Sequence, residues 1–240
     1  IHGAFGAATA CCKLLNLDSA RILDAFSLVL CQETCSAELI NSPDSFIRAI
    51  RDAFAAKAGV LSALLAQRGI KGFEQPIEGK AGFYALYMKG RFSTEVLTRE
   101  LGTVFEGANV SFKPWPSCRG THPYVEAALQ ASAAANYKPN EIEEVLVQVT
   151  EEPISRMLWE PLQRKQTPSK AIDAKFSIPF TVATALAYGS VTLDHFLPER
   201  LLDPQIQRIA RLVRCDVVPP WGKGIRKGLV KIRLKDDFIE

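Results

Sequence analysis

The chain has 240 residues, 48% of them hydrophobic, with 29 Lys and Arg against 26 Asp and Glu. That length supports one large or two modest domains with a buried core, and a formal net charge of +3 is too balanced for a nucleic-acid-binding protein. The longest apolar stretch, Ala53 to Ala66, is shorter than a membrane span and contains Lys57, so neither a membrane nor a secretory leader is expected, and the cytoplasm is the expected compartment.

From Gly3 to about Asn109 the pattern is helical. A first helix is predicted over Ala4–Leu15; Asn16-Leu-Asp18 closes it, and Asp18 or Ser19 can cap the next, Ala20–Thr34. A turn at Asn41-Ser-Pro-Asp-Ser45 leads into a long helix from Phe46 to Gln67, stopped by Gly69. Gly79 to Gly82 interrupts the chain, and Ser93–Leu101 reads as a further helix. From Val110 onward the texture changes. Val145–Val149 and Leu229–Lys235 alternate apolar and polar residues and are rich in β-branched types, the signature of strands, with helices expected between them at Tyr124–Ala135, Pro179–Ala187 and Asp203–Arg211. The predicted fold class is α+β, a mainly helical domain over 1–110 followed by an α+β domain over 111–240.

The long helix has two distinct faces. At about 100° per residue, Ile50, Phe54, Leu61, Leu64 and Leu65 gather on one, and Arg48, Arg51, Asp52, Ala55 and Gly59 on the other. Two arginines beside small residues offer a bulky anion both charge and room, and the guanidinium fork suits carboxylates; the alternative is a solvated face. Lys57 lies within the apolar stripe. It either snorkels to an edge or is a buried amine able to serve as a general base.

The segment Phe112-Lys-Pro-Trp-Pro-Ser-Cys-Arg-Gly-Thr-His-Pro-Tyr-Val-Glu-Ala-Ala-Leu129 concentrates chemistry-bearing side chains. Pro114 and Pro116 argue for an extended, rigid approach, and Pro123 fits the first turn of the helix that follows. Ser117, Cys118, Arg119 and His122 therefore lie at or just before a helix N-terminus, which favours anions and thiolates. A thiol, a fixed cation and an imidazole around such a pocket suggest carboxylate chemistry; a capping loop with a structural cysteine is the alternative.

The remaining features are weaker. Six cysteines form no CxxC pair and, with three histidines, no zinc spacing, so small buried thiols and no metal are expected. His195 reads as structural, and Ser177 can cap a helix. Between Asp203 and Lys235 the chain is basic (Arg208, Arg211, Arg214, Lys223, Arg226, Lys227, Lys231, Arg233, Lys235), but Lys231, Arg233 and Lys235 alternate with Val230, Ile232 and Leu234 as on a strand's solvent face, so no nucleic-acid partner is expected.

The segment around Cys118 resembles the P-S-C-R-[GA]-T-H-x-x-[IV] stretch of the MmgE/PrpD family, which includes 2-methylcitrate dehydratase, cis-aconitate decarboxylase and iminodisuccinate epimerase. His2-Gly-Ala-Phe-Gly-Ala-Ala, Arg51-Asp-Ala-Phe-Ala-Ala-Lys-Ala-Gly59 and Ala174-Lys-Phe-Ser-Ile-Pro-Phe-Thr-Val-Ala183 resemble three further family stretches in the same order. The resemblance implies a helical domain with a smaller α+β lid, in a homodimer acting without cofactor on a small di- or tricarboxylate by removing a proton α to a carboxylate. With it, Arg48, Arg51, Ser117, Arg119 and Lys175 are the expected substrate-binding residues and Cys118 and His122 the candidates for proton transfer; Lys57, read from its place in the helix alone, ranks below the arginines. Arg48 falls where cis-aconitate decarboxylase has an active-site lysine. Cys118 stands where decarboxylase and 2-methylcitrate dehydratase members often have histidine, which favours an epimerase-like or uncharacterised branch; Phe180 also stands where tyrosine is frequent. Family members carry more chain on both sides, so a partial or shortened member is expected, with a non-catalytic partner subunit or scaffold as the alternative.

Overall fold

A computed structural model describes residues 2–34, 36, 38, 42, 45–134, 137–220, 227–235 and 238–239. The chain divides into two compact units, Ile1–Val110 and Ser111–Glu240. The protein is mixed α+β and mainly helical. Among the described residues no helix is long and apolar enough to cross a membrane.

The first unit contains α1 (His2–Leu14), α2 (Ser19–Gln32), α3 (Ile47–Gln67), α4 (Phe83–Met88) and α5 (Thr94–Thr98). The Asp18 carboxylate accepts the Arg21 N–H at 2.9 Å and starts α2 as a side-chain cap. Gly69, at φ +88°, lies just beyond α3 in the left-handed region that ends many helices. Helices α1, α2 and α3 pack on one another through small residues: Ala4, Ala8 and Cys12 of α1, Ala25 of α2, and Ala58, Ala63 and Ala66 of α3 are buried. Gly59 explains how closely α1 and α3 approach, because a Cβ there would stand 2.5 Å from the Ala7 Cβ and 2.7 Å from the Ala8 nitrogen.

This packing corrects one expectation. The large apolar stripe of α3 is not its packed face: Ile50, Phe54, Leu61 and Leu64 are 51%, 53%, 40% and 39% exposed. The small-residue face lets backbones come together and takes the contact instead. Lys57, on the exposed stripe, is itself exposed, so the buried-amine form of the Lys57 reading does not hold. The helix expected over Ser93–Leu101 shortens to Thr94–Thr98 because Arg99 is extended and Glu100 and Gly102 adopt positive φ.

The second unit contains α6 (His122–Ala134), β1 (Ile142–Val149), α7 (Pro153–Trp159), α8 (Leu162–Gln166), α9 (Ala171–Lys175), α10 (Ile178–Tyr188), α11 (Pro198–Leu201), α12 (Pro204–Leu212), β2 (Val213–Val217), β3 (Leu229–Leu234) and β4 (Phe238–Ile239). The sheet runs in the order β2-β1-β3-β4, with β1 parallel to β2 and antiparallel to β3. Alternate residues Val145, Val147 and Val149 of β1 are buried with Phe180, Ile206 and Ile209 in one core. Helix α10 is apolar all round, and every residue from Ile178 to Leu186 is buried, as befits the central helix of this unit.

Ser177 caps α10. Its hydroxyl accepts the Phe180 N–H at 3.0 Å and donates to the Lys165 carbonyl at 2.6 Å. Much of the basic stretch is tied down by structural contacts: Arg208 donates to the Ile142 carbonyl at 3.1 Å, Arg214 to the Arg211 carbonyl at 2.9 Å, and Arg233 pairs with Glu143 and Glu144 on the sheet. Lys223 and Arg226 lie outside the described residues. Of the cysteines, Cys12 is buried, Cys11, Cys118 and Cys215 are half-buried and Cys31 is exposed, all as free thiols, while Cys35 lies outside the described residues.

Candidate functional site

The loop before α6 is fixed at every turn. Ser117 N donates to the Trp115 carbonyl at 2.9 Å, and Cys118 N reaches across to the Lys175 carbonyl at 2.8 Å. A 3-10 turn, Arg119–Thr121, follows and runs directly into α6, where His122 is the first residue and Pro123 the second. Thr121 closes the turn twice, donating both its N–H and its hydroxyl to the Cys118 carbonyl at 2.8 Å. The hydroxyls of Ser117 and Thr121 lie 2.7 Å apart, and the Lys113 ammonium donates to the Ser117 carbonyl at 3.2 Å. Ser117, expected to hold substrate, therefore spends its buried hydroxyl on Thr121 and stiffens the loop. Gly228, just before β3, presses on the start of α6: a Cβ there would meet the Pro123 carbonyl carbon and oxygen at 2.3 Å.

His122 is the most informative side chain of the loop. Its ring packs edge-on to Trp115, with centroids 5.4 Å apart and planes at 83°. Burial first of all pushes its pKa below the usual value of 6.5; the nearby Lys113 and Arg119 charges push the same way, and hydrogen bonding to the backbone of Ser117 and Trp115 opposes them. Nε2 is buried and has no hydrogen-bond partner among the described residues. The ring is thereby held toward its neutral form, with an unpartnered Nε2, a few residues from the Cys118 thiol. Arg119 is exposed, and among the described residues no acceptor engages its guanidinium.

Lys175 contributes differently from the expectation. Its carbonyl holds Cys118, while its ammonium lies 5.5 Å from the centroid of the Phe196 ring. Sequence reasoning overlooked Lys165 on α8. Its ammonium is largely buried, donates to the Phe176 carbonyl at 2.8 Å, and has its pKa lowered to about 8, chiefly by desolvation. Nothing in Leu162-Gln-Arg-Lys-Gln166 marks this lysine, since the turn that receives it arrives from the segment around Phe176. Lys113 was likewise passed over, although it stands inside the motif.

In the first unit, Arg48 stands in the first turn of α3 and Arg51 at the start of the second. Gly3 lies opposite Ala55, at 3.8 Å, and Ala7 and Ala8 lie opposite Gly59, so α1 and α3 run parallel, and Arg51 stands level with the start of α1. A cation in the first turn, such as Arg48, opposes the macrodipole. Arg51 lies 3.5 Å from the Asp52 carboxylate, and its buried Nε has no hydrogen-bond partner among the described residues. Arg48 and Arg51 belong to one unit and Ser117, Cys118, Arg119, His122 and Lys175 to the other. Among the described residues no three or more His, Cys, Asp or Glu side chains are grouped to hold a metal ion.

Residues 1–95 match the MmgE/PrpD N-terminal domain and residues 115–238 the MmgE/PrpD C-terminal domain, and the chain belongs to the MmgE/PrpD family. It is similar to the cis-aconitate decarboxylase-like protein oryM of Aspergillus oryzae, 26% identical over 212 residues that cover 84% of this chain and 43% of the relative. It is also similar to cis-aconitate decarboxylase of Homo sapiens, 24% identical with 91% and 44% covered, and to that of Aspergillus terreus, 24% identical with 98% and 50% covered. The chain spans about half the length of the curated relatives it matches.

Proposed function

We propose that the chain carries residues of a cofactor-independent lyase or isomerase site, one that acts on a small di- or tricarboxylate by removing a proton α to a carboxylate. The observation that carries this reading is the neutral His122, whose Nε2 is uncommitted and which shares with Cys118 a loop locked by Lys175, Ser117 and Thr121. An imidazole held neutral can accept a proton from carbon near neutral pH, and a thiol on the same loop can return one. Arg119, on the same loop, would bind a carboxylate and neutralise the charge that builds on the enolate-like intermediate.

From that intermediate the outcomes diverge. Expulsion of hydroxide gives a dehydratase and reprotonation on the opposite face an epimerase, while decarboxylation, the reaction in the relatives' names, instead leaves a carbanion to be protonated. Cys118, in place of the histidine frequent in dehydratase and decarboxylase members, favours the epimerase-like branch. A homodimer is the expected assembly.

Incubation in D₂O with citrate-, methylcitrate-, aconitate- and aspartate-derived acids, followed by NMR, tests this reading. Deuterium should enter the α-carbon of one acid with the wild-type chain and fail to enter with Cys118→Ala and His122→Ala. A folded, monodisperse chain that exchanges none of them contradicts it. The second reading, a non-catalytic partner subunit, would then stand on the exposed stripe of α3.

A further inference from the structure

We infer that Lys165 is a substrate-binding residue of the Cys118–His122 site, its ammonium receiving one carboxylate of the polycarboxylate ligand. The inference rests on the proposed function and adds a cation that neither the motif nor the family match singles out. Its basis is position. Lys165 Nζ donates to the Phe176 carbonyl, and the adjacent Lys175 carbonyl receives Cys118 N, both at 2.8 Å. The Cys118 backbone and the Lys165 ammonium are therefore anchored on neighbouring peptide units of the turn that joins α9 to α10. The Lys165 backbone is itself pinned by Ser177, so the side chain departs from a fixed point.

Its bonding leaves capacity for a ligand. An ammonium has three N–H donors, and among the described residues Lys165 spends one, on a neutral carbonyl. Asp173, which could pair with it, lies 3.4 Å from the Arg164 guanidinium instead. A partly buried ammonium that bonds only a neutral carbonyl has an unmet demand for a negative partner, which Asp173, itself beside Arg164, meets only in part. A ligand carboxylate would supply the missing partner.

The electrostatics agree. Desolvation lowers the Lys165 pKa to about 8, and Arg164 adds to the lowering, while Asp173 and Cys118 raise it. An arriving carboxylate favours the charged form, so near that pH the amine should take up a proton as the ligand binds.

Calorimetry of the 240-residue chain with propane-1,2,3-tricarboxylate, an acid with neither a hydroxyl to lose nor a double bond, tests this in two buffers of different ionisation enthalpy at the Lys165 midpoint. Wild type should bind with uptake of about half a proton. Lys165→Met should bind about tenfold more weakly with that uptake gone. Lys165→Arg, permanently charged, should keep most of the affinity and lose the uptake, which also shows that the position tolerates substitution. Binding with no uptake, or with uptake unchanged in Lys165→Met, overturns the role of Lys165 and leaves the polycarboxylate reading intact. Absence of binding in wild type overturns both.

Discussion

Burial holds His122 and Lys165 toward their neutral forms within one loop-and-turn assembly, and each has a consequence for stability. The folded-state pKa of Lys165 lies near 8, against 10.5 for the free side chain. Below about 8 both folded and unfolded chains carry the proton, so the desolvation penalty is fully present; between 8 and 10.5 the unfolded chain binds more protons, and stability rises with pH. Lys165→Met should therefore be more stable than wild type at neutral pH, on the order of 1–2 kcal/mol after allowance for partial exposure and the lost hydrogen bond. Urea titrations across that window should show the advantage shrinking as pH rises. An advantage independent of pH would mean that Lys165 carries its charge without penalty. His122 has the same sign: its lowered pKa costs stability as pH falls below 6.5.

At the scale of elements, the site depends on where α6 begins, and Gly228 sets that point from another part of the chain. Gly228→Ala would drive a methyl group into the Pro123 carbonyl, displacing either β3 or the first turn of α6. A loss of about 1–3 kcal/mol is expected, measured by chemical denaturation, with a changed environment for His122. Stability within experimental error of wild type would show that the approach relaxes freely. This long-range contact also marks what the sequence could and could not reveal. Local signals were legible: the Asp18 cap, the Gly69 stop, the alternation in β1 and β3, and the Ser117–His122 loop with proline at the start of its helix. Lys165 was not, because its character comes from the Phe176 carbonyl and from burial rather than from its neighbours in sequence. Strand β2 was missed for a related reason, since Val213–Val217 is short and its partner β1 lies far upstream. The packed face of α3 was misjudged because periodicity locates a stripe without saying which helix will cover it, and close packing against α1 selected Gly59 and its alanine neighbours.

Over the whole molecule, the chain leaves Ile50, Phe54, Leu61 and Leu64 of α3 exposed in one line, with Phe46 and Ile47 at its start also exposed. A continuous apolar surface of that kind is unusual on a free monomer and promotes association. In sedimentation the chain is expected to run heavier than 26.4 kDa, and the double variant Phe54→Glu, Leu61→Glu to shift toward that mass with unchanged helical content. A wild-type chain that stays monomeric at high concentration would show that this face needs no cover.

The site itself is tested most directly at the ring nitrogens of His122. The chain has three histidines, so ¹⁵N NMR with His122→Asn as the assignment control resolves them. The expected result is a neutral ring at neutral pH with the proton on Nδ1, titrating below 6.5. A ring protonated on Nε2, or one titrating above that value, would remove the base on which the proposed proton abstraction depends.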